Sequence, residues 1–353
     1  MVSADIFGNG LGNGFAYFEG FFMKISILPD CIADCRTANR SLWLWGQPGT
    51  GKTAIVNAAA QLLGIELVSL RVVEHEPVDF GGFPVPHSDG LHVRRLRETW
   101  SPQEGTAGLL FLDELAQATI ETQCAAMRLI DHLPAGWSVV AASNRTTDRA
   151  GVRQPPTHVL ERFTHIEIEP DLAGWISWTH STTFSPLVRG FLEFRPALFC
   201  PDMDAASVQA TRTACNPRAW HGVSRIVLNC RTELHAELIA GTIGIGPSAE
   251  FLGYCLIAAY CPTPAQILAD PKTISIPSDP SALYAVCSSL SEHCKRMDDR
   301  LFPRLMDFAE RLPVEFAAII VIDAQRAKTD FVKLPATAAW IARNQSVFAR
   351  SRS

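Results

Sequence analysis

Residues 46–53 read Gly46-Gln47-Pro48-Gly49-Thr50-Gly51-Lys52-Thr53, a complete G-x-x-x-x-G-K-[ST] pattern. No other stretch constrains the fold of this chain so tightly. Its glycines let the backbone curl so that successive N–H groups point at phosphate oxygens, and a following helix adds the positive end of its dipole. The pattern carries that meaning only when a strand precedes it and a helix follows. Here Leu42-Trp43-Leu44-Trp45 reads as a buried strand, and Ala54 to Leu63 reads as a helix. Lys52 is then placed to reach the β/γ-phosphates and the Thr53 hydroxyl to ligate Mg²⁺. These residues imply binding of a nucleoside triphosphate.

The rest of the chain supplies a matching framework. Ile65 to Leu70 predicts a second strand. The insert 71–100 is dense in breakers (Pro77, Gly81, Gly82, Pro84, Pro86), and Ser88-Asp89-Gly90, flanked by Val85 and by Leu91-His92-Val93, predicts a hairpin. Leu109-Leu110-Phe111-Leu112 predicts a strand ending in Asp113-Glu114, with a helix over 115–130. Ser138 to Ala142 predicts a strand ending at Ser143-Asn144, and Phe163 to Ile168 alternates as a half-buried one. Alternating strands and helices point to an α/β fold, a parallel sheet covered on both faces. Ligands of such sheets sit at the carboxyl ends of the strands, where Gly46, Asp113 and Asn144 fall.

Beyond Asp171 the strand signals thin out. Asn216-Pro217 and Asp279-Pro280 are helix starts, with the acid or amide as N-cap and proline at the first helical position. Helices are expected over 248–259, 280–295 and 300–311. The expected organisation is a leader over 1–22, a nucleotide-binding α/β domain over 23–170, a helical lid over 171–262, and a mostly helical region over 263–353. The leader is rich in Gly and Phe and lacks a basic start; Met23-Lys24-Ile25-Ser26 is an alternative beginning of translation, and a short N-terminal arm is the other reading.

An acidic pair at the end of an apolar strand, downstream of a phosphate loop, suits hydrolysis. Asp113 would hold the Mg²⁺ ion, largely through its water shell, and Glu114 would act as general base toward the attacking water. The bland alternative is an acidic pair that caps a helix start. Asn144 would place the water; in isolation it is an ordinary turn residue.

Composition sets the remaining bounds. A net charge of −5 argues against a global basic field for nucleic acid. A local excess exists near the end, where Arg326, Lys328, Lys333, Arg343, Arg350 and Arg352 face one acid, Asp330. A solvated helical face is the simpler account of it. The ten cysteines include no C-x-x-C pair, which suits reduced thiols in a cytoplasmic enzyme. No stretch reads as the roughly 20 apolar residues that span a bilayer, so no membrane insertion is expected.

Taken in order, the phosphate loop, Leu109 to Glu114, Ala141-Ala142-Ser143-Asn144, Glu161-Arg162-Phe163 and Asn216-Pro217-Arg218-Ala219 resemble the motif series of AAA+ ATPases. Glu76-Pro77-Val78-Asp79-Phe80-Gly81-Gly82 and Asn144-Arg145 through Asp148-Arg149-Ala150-Gly151 look like the MoxR branch, particularly its prophage and bacterial ATP-binding members. The likeness covers Ser41 to Trp220 well and the remainder loosely. It implies an AAA+ P-loop fold with an α-helical lid, ATP and Mg²⁺ as cofactors, and a homohexameric ring with nucleotide between neighbours. By this resemblance Arg162 matches the arginine finger offered to a neighbour, and Arg218 the lid arginine that senses nucleotide. Arg162 would otherwise pair with Glu161, and Arg218 would be a solvated helix start. The insert would face the pore or the substrate, with Arg94, Arg95 and Arg97 toward an acidic partner. The family implies remodelling of a protein client, commonly with a von Willebrand factor A partner. The rival expectation is a DNA-associated motor or loader of a phage or defence system.

Overall fold

The computed structural model describes residues 22–24, 27–145, 148, 151–202 and 205–345. The leader through residue 21, Arg149-Ala150, and the basic residues Arg350 and Arg352 lie outside the described residues. The chain packs as two compact units: the first comprises 1–46, 56–143 and 153–169, and the second 47–55, 144–152 and 170–353.

In the first unit the strands are β1 (Phe22–Lys24), β2 (Ser41–Trp45), β3 (Glu66–Arg71), β4 (Phe83–Pro86), β5 (Val93–Leu96), β6 (Gly108–Asp113), β7 (Trp137–Ser143) and β8 (Phe163–Glu169). Six form one sheet in the order β1-β8-β2-β7-β6-β3. Every pairing in it is parallel. Leu42, Trp43 and Leu44 of β2 and Leu109 to Leu112 of β6 are wholly buried, which is why these runs read as continuous apolar stretches rather than alternations. β8 buries Phe163, Ile166 and Ile168 and leaves the residues between them partly or fully exposed.

A glycine is required at position 108. A Cβ there would stand 2.7 Å from the Trp137 ring, so the indole of β7 packs directly over the start of β6. The Trp137 Nε1 donates to Thr106 Oγ1 at 2.9 Å, which satisfies its polar atom.

The expected helix over 115–130 is broken in two. Glu114 adopts a left-handed backbone (φ 58°, ψ 33°), Leu115–Gln117 forms a single 3₁₀ turn, and Ala118 is extended. The helix proper is Ile120–Asp131, capped by Thr119 Oγ1 accepting from the Thr122 N–H. The apolar spacing across 115–130 conceals this restart, because Thr119 is an N-cap that interrupts the run. The first half-turn therefore belongs to the strand end and not to the helix.

The hairpin of the insert is β4–β5, antiparallel, with Phe83 opposite Leu96. Asp89 Oδ1 accepts from the N–H groups of Leu91 and His92, closing its turn. Arg95 donates to the Gly82 carbonyl at 3.0 Å. It therefore holds the hairpin base, although its position, like those of Arg94 and Arg97, is exposed.

Beyond residue 170 the second unit is helical. The expected helix starts are present: Asn216 accepts from the Ala219 N–H and opens Pro217–Asn229, and Asp279 accepts from Ser281 and opens Pro280–Cys294. The expected helix 300–311 is a 3₁₀ turn, Asp299–Leu301, followed by Phe302–Ala309. Two hydrophobic cores form. One gathers Phe191, Trp220, Phe251 and Tyr254, the other Leu305, Phe308, Ile320 and Trp340. Pro280–Cys294 serves both, giving Ala285 to the first and Val286, Leu290 and Cys294 to the second. An 18-residue window within Ile245–Ala269 reaches a mean hydropathy of 1.3, a longer apolar stretch than 251–261 alone. The segment is divided into helices Ile245–Ala259 and Pro264–Ala269, the second begun by a Thr263–Gln266 capping box.

Inside the first unit, buried Ser143 Oγ accepts from Trp43 Nε1 at 3.0 Å and from the Ala116 N–H at 2.9 Å. Ser143→Ala leaves both donors unpaired and should lower unfolding stability by about 1–3 kcal/mol. Ser138 Oγ on the same strand is buried without a hydrogen bond among the described residues. Ser138→Ala should therefore cost less, and urea denaturation midpoints of the two variants provide the comparison.

Candidate functional site

In the first unit, register places the chemistry at the carboxyl end of the sheet. Arg71 of β3 stands opposite Asp113 of β6, Asp113 opposite Ala142 of β7, and Ser143 opposite Trp45 of β2. Gly46, from which the phosphate loop departs, donates its N–H to the Ser143 carbonyl at 3.3 Å. Asp113 is half-buried, and its Oδ1 accepts from the Glu114 N–H at 3.0 Å. The left-handed backbone at Glu114 costs a non-glycine residue energy, and such strain persists where surrounding structure imposes it.

The Glu114 carboxylate has a partner that the sequence reading missed. Arg71 Nη2 lies 3.2 Å from Glu114 Oε1, while Arg71 Nη1 pairs with Glu74 at 2.9 Å. The carboxylate expected to act as base thus carries a partly exposed cation on one of its two oxygens. Arg71 is also the first residue of the insert, so the same side chain joins that segment to the acidic pair. Nothing in the spacing of Arg71 and Glu114 signals the pair; only parallel pairing of β3 with β6 reveals it.

Arg162 follows the short helix Thr157–Leu160 and forms a two-pronged ion pair with Asp131, Nε to Oδ1 at 2.9 Å and Nη2 to Oδ2 at 2.8 Å. It also donates to the His158 carbonyl. The hydrogen bonds from Arg162 hold the Asp131 carboxyl below its ordinary range, and the same bonds raise the arginine. Asp131 therefore takes the guanidinium, not Glu161. Both side chains are partly exposed, at 33% and 44%. Pairs of that kind are worth about 0–1 kcal/mol, so a competing anion can draw the guanidinium away.

In the second unit, the phosphate loop packs among residues from distant parts of the chain. Gly49 (φ 79°) and Gly51 (φ 98°) take the positive φ that turns successive N–H groups to one side. The Gln47 carbonyl accepts from Thr50 Oγ1 and from Lys52 Nζ, each at 2.9 Å. Lys52 Nζ also donates to Asn144 Oδ1 at 3.2 Å, so the two expected site residues meet. The ammonium is buried, and charge-assisted hydrogen bonds to phosphate oxygens are among the strong ones. Thr53 begins the helix Lys52–Leu63 beside it, and Pro48 occupies the turn between Gln47 and Gly49.

Residues near the Pro217 helix reach the same loop. A Cβ on Gly49 would stand 2.8 Å from the Asn216 amide, and the Arg218 N–H donates to the Gly49 carbonyl at 3.2 Å. The Arg218 side chain is exposed. Gln47 is gripped by its side chain: Nε2 donates to Asp202, and Oε1 accepts from Cys200 Sγ at 3.0 Å. Burial, reinforced by Asp202, pushes the Cys200 thiol up to about 11, so it remains a neutral donor. Arg145 next to Asn144 is bound by Asp148, Nη2 to Oδ1 at 3.0 Å. Cys200 and Asp202 carried no motif signal, and Arg145 entered only as part of the MoxR-like segment; the contacts of Cys200 and Asp202 with Gln47 come from packing against the loop.

The residues fit the expected nucleotide and its Mg²⁺. The glycine φ values shape a cradle of N–H groups, Lys52 offers the cation, and the Thr53 hydroxyl is a hard oxygen donor; in the first unit the Asp113 carboxylate is a donor of the same kind. No group of three or more His, Cys, Asp or Glu stands ready to hold a metal by itself among the described residues.

Comparison with known proteins bears on residues 42–167, which match the model of the ATPase family associated with various cellular activities (AAA). No match is found among curated proteins. Among solved structures, the chain is similar to a putative ATPase from Cytophaga hutchinsonii, with 16% identity and a TM-score of 0.32, over 41% of this chain and 46% of that one. This chain thus spans less than half the length of that ATPase. It is also similar to NtrX from Brucella abortus in complex with ATP (15%, TM-score 0.37, covering 96% and 69%). A third similarity is to AMPPCP-bound DnaA from Aquifex aeolicus (12%, TM-score 0.36, covering 98% and 96%). Over residues 42–167, which include the phosphate loop and the acidic strand end, the chain is thus similar to the AAA ATPase family.

Proposed function

We propose that this protein is a Mg²⁺-dependent ATPase that works as a ring and remodels a protein client in the cytoplasm, in the manner of MoxR-like proteins. The observation that carries the ATPase reading is the buried Lys52 ammonium, shared between the Gln47 carbonyl and Asn144 in a loop of positive-φ glycines. The ring and the client rest on the sequence resemblance.

When bound, the magnesium nucleotide supplies the phosphoanhydride to be cleaved. Lys52 and the loop N–H groups hold phosphate oxygens, with Thr53 and Asp113 as the residues that would hold the ion. Asn144 orients the water. Glu114 accepts one water proton on its carboxylate as the oxygen attacks, once Arg71 has released it. Arg162, freed from Asp131, is the cation offered to the nucleotide of a neighbouring subunit; comparable fingers are worth about 10³–10⁵ in rate. Arg218 would report the nucleotide to the helices that follow it.

The DNA-associated reading draws on Arg94, Arg97 and Phe83, all exposed on the hairpin. DNA-stimulated turnover with steeply salt-dependent binding would favour it over protein remodelling, and co-purification of a von Willebrand factor A protein would favour the remodeller.

Turnover and nucleotide binding separate the roles. Lys52→Ala should abolish or severely weaken nucleotide binding, whereas Glu114→Gln should retain bound nucleotide and stop hydrolysis. Equal loss of binding in both would remove Glu114 from the role of base. Arg71→Ala should raise basal turnover by roughly two- to fivefold with unchanged nucleotide affinity, since only an exposed ion pair is lost. A fall in turnover would instead make Arg71 a participant in hydrolysis. Arg162→Ala should lose turnover alone and regain part of it when mixed with Glu114→Gln subunits, measured as phosphate release from reconstituted rings. Mixed rings as inactive as either parent would place Arg162 outside any neighbour's site.

A further inference from the structure

The helical unit contains a cavity of about 560 Å³ that has no part in the nucleotide chemistry. Its volume falls within the range of small-molecule sites. The walls come from the end of helix Leu172–His180 with the turn after it, and from the last turns of helix Pro280–Cys294. Six residues define its chemistry: His180, Thr183, Ser289, His293, Lys295 and Arg296.

A chain of charges, buried at Arg189 and Asp323 and partly exposed at its ends, runs along the cavity wall. Arg326 pairs with Asp323 at 2.9 Å, and Asp323 Oδ1 lies 3.2 Å from His180 Nε2. His180 Nδ1 accepts from Arg189 Nη1 at 3.3 Å, and Arg189 Nη2 reaches Glu292 at 3.1 Å. Lys295 closes the chain on the same Glu292 oxygen at 2.8 Å. Arg189 is wholly buried, and its Nε has no hydrogen-bond partner among the described residues. Burying a guanidinium without complete pairing is costly, and helix packing alone gives no return for it.

The charges do not balance at the cavity wall. Glu292 is the single carboxylate lining it, and it is already shared by Arg189 and Lys295. Burial pushes that carboxyl up, yet the hydrogen bonds from Lys295 and Arg189 outweigh it and hold Glu292 below its ordinary range. It stays an anion with two cations to answer. Arg296 and His293 line the opening with no side-chain partner among the described residues, and the Thr183 and Ser289 hydroxyls are likewise uncommitted. Uncommitted donors of several kinds, converging on a concave surface with surplus positive charge, match the many acceptor oxygens of a phosphoryl group.

We propose that this cavity binds a small phosphoryl anion, separately from the nucleotide held by the phosphate loop, with Arg296 and Lys295 as its principal cations. Full-length Lys52→Ala protein, in which the phosphate loop is disabled, is titrated with inorganic pyrophosphate by isothermal calorimetry. Saturable binding is expected, weakened roughly tenfold or more by an added Arg296→Ala, the loss of one charge-assisted hydrogen-bonding group. An added Arg300→Ala, which removes an exposed cation outside the cavity, should leave the affinity unchanged. Absence of binding to Lys52→Ala, or equal weakening by Arg296→Ala and Arg300→Ala, would overturn the proposal. Citrate binding as tightly as pyrophosphate would overturn the preference for a phosphoryl group. Because the phosphate loop is silenced throughout, the result stands apart from the ATPase reading.

Discussion

The Ser143 hydroxyl is the junction on which the sheet end depends. It sits at the last residue of β7 and takes hydrogen bonds from Trp43 in the middle of β2 and from the Ala116 N–H just past β6. Three neighbouring chain segments are thereby fixed by one small oxygen that is 1% exposed. The Ser143 carbonyl then receives the Gly46 N–H, which sets the departure of the phosphate loop. A buried indole N–H left unpaired is costly, so the arrangement tolerates little displacement. Asp113 and Glu114 inherit their positions from the same junction, because Ala116 follows them within one turn.

Around that junction the acidic pair has divided duties. Asp113 turns inward and caps the Glu114 N–H, while Glu114 takes a left-handed backbone and projects toward Arg71. Two adjacent carboxylates are thus given different surroundings by a single backbone inversion. The same inversion explains why no continuous helix begins at Leu115.

Much of this was legible in the residues themselves. The buried strands β2, β6 and β7 announced themselves as apolar runs, and Asn216-Pro217 and Asp279-Pro280 marked helix starts that the structure contains. Lys52 and Asn144, 92 positions apart, were expected in one site and do meet. What sequence did not reveal depends on long-range pairing. Arg71 reaches Glu114 because β3 and β6 are neighbours, and Arg162 chooses Asp131 over adjacent Glu161 because the helix Ile120–Asp131 ends beside it. Arg95 looked interchangeable with Arg94 and Arg97, yet it is the one that donates to the Gly82 carbonyl. The grip of Cys200 and Asp202 on Gln47 lies in a stretch without any motif.

The helix Pro280–Cys294 contributes side chains to both hydrophobic cores of the helical unit. A wall shared in this way abolishes independence: neither core has a closed surface without it. Loss of the helix would expose Phe251 and Tyr254 on one side as surely as Phe308 and Trp340 on the other. The two cores of the helical unit therefore share one wall, so a substitution that disturbs Pro280–Cys294 bears on both at once.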